Sequence, residues 1–399
     1  MSVAACCPPP AIVRQAQLPT GQLTLTLGPQ SASQDVDSYI GFAARDNAKR
    51  GFLFVSHVLG KHVPVAPGRM RAAHDALART IEVRPGDSFV FVGMAETATG
   101  LGYGAFEAFQ RLHDASALYV HTTRYWMDPD ALTFEESHSH APNLCLHASL
   151  DPGAREQQQA ANVLVLVDDE LSTGRTFAHL LREYRARYPR VERVHVLTLC
   201  DFSGGDGLGN IATSTDAQVS VGALLSGAHA FAPTAAGCAN PQLRAQPGRH
   251  VDVGLAAEFG RRPVSAALRI EEAEGPSLAQ LGQLPARSIK VVGTGEFMHA
   301  AYVLGTWLEE RGHEVRVQST TRSPILPGFG AIQSAVGVPD HYGEGVPNFL
   351  YNHDPAGQDL TLVCCEGAAN AATHGIAEAL SARIVQFIYR GGLLELSVL

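Results

Sequence analysis

The chain has 399 residues, 45% of them hydrophobic and 17% charged, with a formal net charge of -9 at pH 7. That length can bury a sizeable core and favours two domains, or one with an elaboration. The acidic balance, with no Lys/Arg cluster in any eight-residue window, argues against duplex nucleic acid as a partner but leaves room for a local pocket that holds a small phosphorylated ligand.

No apolar run reaches the roughly 18 to 20 residues needed to span a bilayer, and "MSVAACCPPP" lacks the positive start and long apolar core of a secretory signal. The expectation is a cytoplasmic protein with no membrane partner. Seven cysteines, including the adjacent pairs Cys6/Cys7 and Cys364/Cys365, have neither zinc-type spacing nor the density of a disulfide scaffold, and read as reduced structural thiols.

Residues 1–34 are rich in Pro, Gln and Ser and read as an arm or edge strand. Residues 35–202 form the first domain. It opens with a stretch from Asp35 to Pro67 whose Pro and Gly punctuation predicts a helix followed by a loop. Aliphatic runs such as "SFVFVGM", "ALYVHTT", "VLVLVDD" and "VHVLTLC" then alternate with helix-like stretches, which argues for an α/β fold with parallel strands covered on both faces. Residues 203–285 change to Gly, Ala, Ser and Pro with weak periodicity and read as a linker with local structure. Alternation resumes in a second domain, 286–399, through "IKVVGTG" and "LTLVCCEG".

The two halves resemble each other. Gly93 to Thr122 spans 29 positions and Gly293 to Thr320 spans 27; Thr122 to Asp168 spans 46 and Thr320 to Cys364 spans 44. Each half carries a G-x-x-E at the end of its first strand, Gly93/Glu96 and Gly293/Glu296, and a T-T-R at the end of its second. This order supports a tandem duplication. Cys364 and Cys365 then stand where the first half has Asp168 and Asp169, so the second half is a degenerate copy.

The stretch that carries chemistry is "VLVLVDDELSTGRT", residues 163–176. In an open α/β sheet, ligands bind beyond the carboxyl ends of the strands. After a strand over 163–167, a turn over 171–176 leads into a helix beginning near Thr176, and Ser172, Thr173, Gly174, Arg175 and Thr176 offer N–H groups and hydroxyls at its positive end, a site for a phosphate. It is neither a Walker P-loop nor a Rossmann fingerprint. The two acids upstream can accept hydrogen bonds from vicinal sugar hydroxyls, so the segment fits a ribose 5-phosphate.

This segment resembles the PRPP-binding signature of type I phosphoribosyltransferases: a hydrophobic run, two acids, spacers, then T-G-x-T. "GMAETATG" (93–100) stands where that family has its pyrophosphate loop, "HTTRY" puts Arg124 at the start of its flexible hood, and "LFVSHVLGKHVP" is similar to a region of orotate phosphoribosyltransferases, with Lys61 at a base or pyrophosphate contact. The whole chain resembles a narrower bacterial family from tellurite-resistance and stress gene neighbourhoods, whose C-terminal domain is named for a T-R-S-P motif, here Thr321 to Pro324.

The resemblance implies a type I phosphoribosyltransferase fold followed by a degenerate second α/β domain, and magnesium-dependent transfer from PRPP to a nucleobase-like or other small acceptor. Asp168 and Asp169 would serve the ribose hydroxyls and the water shell of Mg2+. Residues 172–176 would hold the 5-phosphate; Glu96, Thr97, Ala98 and Thr99, with Arg124, would hold pyrophosphate. His138 and His140 read as flexible-loop contacts, metal ligands or plain solvated residues. Lys61, Glu296, Thr320, Arg322 and Ser323 are expected to bind the acceptor or complete the active site, against structural packing. The competing readings are a PRPP or nucleotide sensor without turnover, and a PRPP-synthetase-like assembly for which no ATP-binding signature is present. Homo-oligomerisation stays open.

Overall fold

The computed structural model describes residues 12–29, 31, 35–45, 47, 50–135, 143–234, 255, 258–270, 279, 281–284, 287–390 and 393–399. Strands β1 (Val13–Leu18) and β2 (Gly21–Leu27) form a hairpin, and after the one-turn helix α1 (Val36–Tyr39) a second hairpin pairs β3 (Ile40–Arg45) with β4 (Phe52–Ser56). The helix expected after Asp35 is therefore mostly an antiparallel pair. Phe52, Phe54 and Val55 favour a strand, and every position of β4 is buried.

The first half continues with α2 (Pro67–Ala78), β5 (Ser88–Gly93), α3 (Thr99–Leu112), β6 (Ser116–His121), the hairpin strands β7 (Leu132–Glu135) and β8 (Asn143–Leu146), α4 (Pro152–Ala160), β9 (Val163–Leu171), α5 (Arg175–Arg187), β10 (Arg193–Asp201), α6 (Asp206–Ala212) and β11 (Gln218–Pro233). Its sheet runs β1-β2-β11-β10-β9-β5-β6, and the last five strands are parallel. Val163 to Val167 are fully buried, as a central parallel strand requires. Helix α5 covers the sheet through Phe177, Leu180, Leu181 and Tyr184, spaced on one helical face.

Residues 203–233, read from the sequence as linker, supply α6 and β11. Strand β11 lies between β10 and the β1–β2 hairpin and is largely exposed or half-buried. It therefore lacks the continuous apolar run that marks β9.

The second half contains β12 (Ser288–Gly293), α7 (His299–Glu309), β13 (Glu314–Ser319), β14 (Ile325–Leu326), β15 (Ala335–Val338), β16 (Asn348–Tyr351), β17 (Leu360–Glu366), α8 (Ala371–Leu380), β18 (Arg383–Arg390) and β19 (Leu393–Val398). Its sheet order, β13-β12-β17-β18-β19, repeats the β6-β5-β9-β10 order of the first, and the hairpin β15–β16 occupies the place of β7–β8. In each half the chain leaves one strand, β5 or β12, and returns on its other side, so a switch point opens between β5 and β9 and between β12 and β17.

One hydrophobic core runs through both halves. Helix α3 is buried continuously from Thr99 to Phe109 because it lies between its own sheet and the second half. A side chain at Gly100 would stand 3.0 Å from Met298 Cβ, so glycine there sets how closely the halves approach. Glu107 and His299 bridge the same seam at 2.9 Å, and the His299 ring stacks on Tyr103 with centroids 4.0 Å apart. The residues after the T-R-S-P motif's serine and proline also cross: β14 adds to β3 and β4, giving a three-stranded sheet built from both halves.

Candidate active site at the switch point

Strand β9 does not stop at Val167. It stays paired with β10 through Asp168, opposite Thr198, to Leu171, opposite Asp201. The turn is then only Ser172 to Gly174, and helix α5 starts at Arg175, one residue before the expected position. Gly174 has φ +70°, and a Cβ there would come within 2.4 Å of the Gly207 carbonyl oxygen. Asn210 fixes the turn from α6, its Nδ2 donating to the Thr173 carbonyl at 2.9 Å. No side chain caps the first turn of α5, and the Arg175 N–H reaches only the Thr173 hydroxyl, at 3.5 Å. These amides and the positive helix end suit an anion.

Asp168 and Asp169 are half-buried at the mouth of this turn. Burial, reinforced by the neighbouring Glu170 carboxylate, pushes the Asp169 carboxyl up to about 6. Glu170 itself is held by Arg50 from the loop between β3 and β4, whose Nη2 lies 2.7 and 2.5 Å from its two oxygens.

The second loop at the switch point follows β5. The Met94 N–H donates to Val167 O at 2.9 Å, which ties this loop to the acid pair, and the Ala95 N–H donates to the Thr122 hydroxyl at 2.8 Å. The Ala95–Glu96 peptide is cis. Thr97 is half-exposed and Ala98 and Thr99 are buried at the uncapped start of α3. Glu96 is not open to solvent chemistry: Lys61 Nζ lies 2.6 Å away and Arg322 Nε 3.7 Å away. Burial alone would raise its carboxyl, but Lys61, Arg322 and Arg124 outweigh that and hold it down to about 2.

The residues expected to bind the acceptor or complete the active site lie at the seam between the halves. Lys61 is wholly buried, bound to Glu96 and donating to the Gly295 carbonyl at 2.9 Å. Glu296 accepts from the Thr123 hydroxyl at 2.7 Å and from the Arg124 N–H at 3.2 Å, and lies 3.3 Å from Arg261 Nε. The Thr320 hydroxyl accepts from the Gly295 N–H at 2.9 Å, the counterpart of the Ala95–Thr122 bond. Arg322 contacts Glu344 and donates to the Tyr125 hydroxyl at 2.5 Å. Ser323 is a backbone element, its N–H donating to the Thr321 hydroxyl and its carbonyl accepting from Tyr351. His138 and His140 lie outside the described residues.

The register corrects one equivalence. Gly93 stands opposite Val167, whereas Val292 stands opposite Val363, so the next step sets Gly293 level with Cys364. Cys365 and Glu366, rather than Cys364 and Cys365, thus replace the acid pair, and one carboxylate survives. It is already satisfied: Arg261, 1% exposed at its side chain, donates to both Glu366 oxygens at 2.6 Å and to the Tyr342 hydroxyl at 3.0 Å. Asn370 caps α8 by accepting from the Thr373 N–H at 2.9 Å. The second switch point therefore has a filled acid site and a capped helix.

Arg261 lay unnoticed in the segment read as linker, though a signal was present: "GRRPV" at 260–264 echoes "GKHVPV" at 60–65. Gly60 and Gly260 both have positive φ. Each segment then pairs with the opposite half, Val65 with Val317 of β13 and Val264 with Tyr119 of β6.

A parallel sheet whose switch point joins an acid pair, an uncapped helix and a second strand-end loop defines the type I phosphoribosyltransferase fold. Residues 39–228 match the family described as phosphoribosyl transferase, and residues 257–382 match the TRSP domain found C-terminal to it. The chain thus carries a phosphoribosyl transferase domain followed by a TRSP domain. Among solved structures it is similar to adenine phosphoribosyltransferase from Trypanosoma brucei in complex with AMP, pyrophosphate and ribose-5-phosphate, at 12% identity and TM-score 0.35, over 54% of this chain and 89% of that one. It is also similar to the enzymes of Rhodothermus marinus, at 17% identity and TM-score 0.30 over 45% and 92%, and of Leishmania donovani, at 14% and 0.34 over 50% and 82%. No curated protein matches the chain. No helix among the described residues is long and apolar enough to cross a membrane.

Proposed function

We propose that the chain transfers ribose 5-phosphate from PRPP to a nucleobase-like or other small acceptor, with magnesium, and releases pyrophosphate. The C1–oxygen bond to pyrophosphate breaks with its electron pair leaving on the pyrophosphate; a bond from C1 to an acceptor nitrogen forms, and the acceptor gives up its proton. The observation that carries this reading is the contrast between the two switch points. The N-terminal one has an uncapped helix start beside two carboxylates; the C-terminal one is capped by Asn370 and filled by Arg261.

In this reading the amides and hydroxyls of residues 172–176 bind the 5-phosphate, each charge-assisted bond contributing about 1.5–3 kcal/mol. Asp168 and Asp169 accept from the ribose 2- and 3-hydroxyls and orient C1 toward the β5 loop. Residues 96–99 and the Arg124 side chain receive the pyrophosphate, with backbone amides and the start of α3 offsetting its charge. The oxygen donors of Asp168 and Asp169 fit Mg2+, which is ordinarily held by one or two carboxylates, water and substrate phosphates. When bound, the ion neutralises charge on the leaving pyrophosphate. The reaction belongs in the cytoplasm, in the stress-linked nucleotide metabolism that the TRSP resemblance implies.

The test is magnesium-dependent pyrophosphate release from PRPP across a panel of nucleobases, alongside calorimetric PRPP binding by Asp168→Asn/Asp169→Asn. Loss of binding with an intact fold is expected from the double variant. Unchanged affinity would sink the site assignment, and tight binding without release for every acceptor would point to a regulatory PRPP-binding protein.

A further inference from the structure

We infer that the C-terminal half serves as a built-in partner subunit for the N-terminal active site, with Glu296 and Arg322 as positioning residues for its pyrophosphate subsite. The inference rests on the reading of residues 96–99 and Arg124 as that subsite.

The contacts are reciprocal. The G-x-x-E of each half engages the T-T-R of the other: Glu296 binds Thr123 and the Arg124 N–H, and Arg322 faces Glu96. Two further bonds lock the loops together. The Thr99 hydroxyl donates to the Glu296 carbonyl at 2.9 Å, and Lys61 links Glu96 to the Gly295 carbonyl.

Glu296 is 5% exposed, and its charge faces the buried Arg261 guanidinium. A carboxylate so placed does not bind pyrophosphate, which it would repel. Instead it receives the Thr123 hydroxyl and the Arg124 amide, and so fixes where the Arg124 side chain leaves the backbone. Arg322 acts likewise on the other wall: its guanidinium, anchored by Tyr125 and Glu344, offsets Glu96 and keeps that acid from repelling an incoming anion.

The ribose and 5-phosphate elements are braced differently. The 172–174 turn is held from α6 by Asn210 and by its contact with Gly207, within the N-terminal half. Loss of the cross-half brace should therefore separate pyrophosphate binding from ribose 5-phosphate binding, a split that general destabilisation does not produce.

The experiment measures calorimetric affinity of the full chain for inorganic pyrophosphate with Mg2+, for PRPP with Mg2+, and for ribose 5-phosphate. Wild type is compared with Glu296→Gln, Arg322→Gln and Thr123→Val, each checked for folding by circular dichroism. Losing a charge-assisted brace should weaken pyrophosphate and PRPP by about tenfold or more, while ribose 5-phosphate stays within about twofold. The Glu296→Gln/Thr123→Val double variant should lose less than the sum of the two single losses, because both substitutions act on the Thr123–Glu296 contact. Should Glu296→Gln fail to fold, Thr123→Val, which deletes the hydroxyl that donates to Glu296 with little change of shape, carries the measurement. Pyrophosphate affinity unchanged in folded variants, or ribose 5-phosphate affinity falling in parallel, overturns the inference. If wild type binds ribose 5-phosphate but no pyrophosphate, the assignment of the β5 loop itself fails instead.

Discussion

Gly174→Ala is the sharpest single test of the phosphate turn. The residue sits at φ +70°, which costs a non-glycine residue about 1–2 kcal/mol. The new Cβ would also lie 2.4 Å from the Gly207 carbonyl oxygen and 3.0 Å from Ile211 Cγ1, so α6 must move, at about 1–3 kcal/mol for overpacking. Together these predict about 2–5 kcal/mol of destabilisation in urea denaturation. Because α6 carries the Asn210 amide that holds Thr173, its displacement should also turn the α5 amides off the phosphate, lowering ribose 5-phosphate affinity by about tenfold or more in calorimetry. Gly209→Ala is the control. It lies in the same helix with nothing within 4 Å of its Cβ, and should be neutral or stabilising by up to about 1 kcal/mol. A Gly174→Ala protein with wild-type stability and wild-type ribose 5-phosphate affinity would refute this account of the turn.

Two further outcomes follow from buried charge. The Asp169 carboxyl, raised to about 6, binds its proton more tightly folded than unfolded, so its contribution to stability is present below about pH 4 and lost as pH rises through about 6. Thermal melts of the ligand-free protein should show that slope, Asp169→Asn should flatten it, and magnesium-dependent PRPP binding should strengthen over the same interval. Glu96, held down to about 2, has the opposite sign: its contribution is present above about pH 4.5 and lost as pH falls toward 2. Glu96→Gln leaves the wholly buried Lys61 ammonium uncompensated and should cost about 3–5 kcal/mol in denaturation, much of it recovered by adding Lys61→Met.

The acid-and-turn segment was legible because its constraints are local. A central parallel strand needs a continuous apolar run, and a tight turn into a helix needs a residue such as Gly174. The β3–β4 hairpin pairs locally but was not legible, because its Gly and Pro punctuation read as a helix and a loop, and β11 was not, because it is largely exposed or half-buried and pairs with β2 far away in the chain. The resemblance of the halves was visible in spacing, and the two sheets share a strand order. Spacing alone could not place the insertions and deletions within the hairpins, so the equivalence of Asp168 slipped by one residue, from Cys365 to Cys364. The partners of Glu296, Arg322 and Lys61 were hidden for a different reason. They lie 173 residues away for Glu296 with Thr123 and 234 for Lys61 with Gly295, across a seam that no local pattern encodes.

That seam explains how a degenerate copy can keep charged residues after losing its own acid pair. Placing Glu96, Glu296 and Glu366 in this largely buried seam is tolerable because Lys61, Arg322 and Arg261 face them there and their orientation is fixed by hydrogen bonds. Such pairing stabilises little over an apolar seam, but removing one partner is costly, so each cluster admits few arrangements of the two halves. Arg261 also makes the asymmetry hard to reverse. It neutralises the one acid left at the second switch point, while Asn370 occupies the Thr373 amide at the start of α8 and Cys365 offers no carboxylate. Taking Arg261 away would leave Glu366 without its guanidinium partner rather than create a second sugar-phosphate site. Three separate features thus set that half's switch point apart from its neighbour's, and under the proposed reading its retained charges serve the first half's pocket.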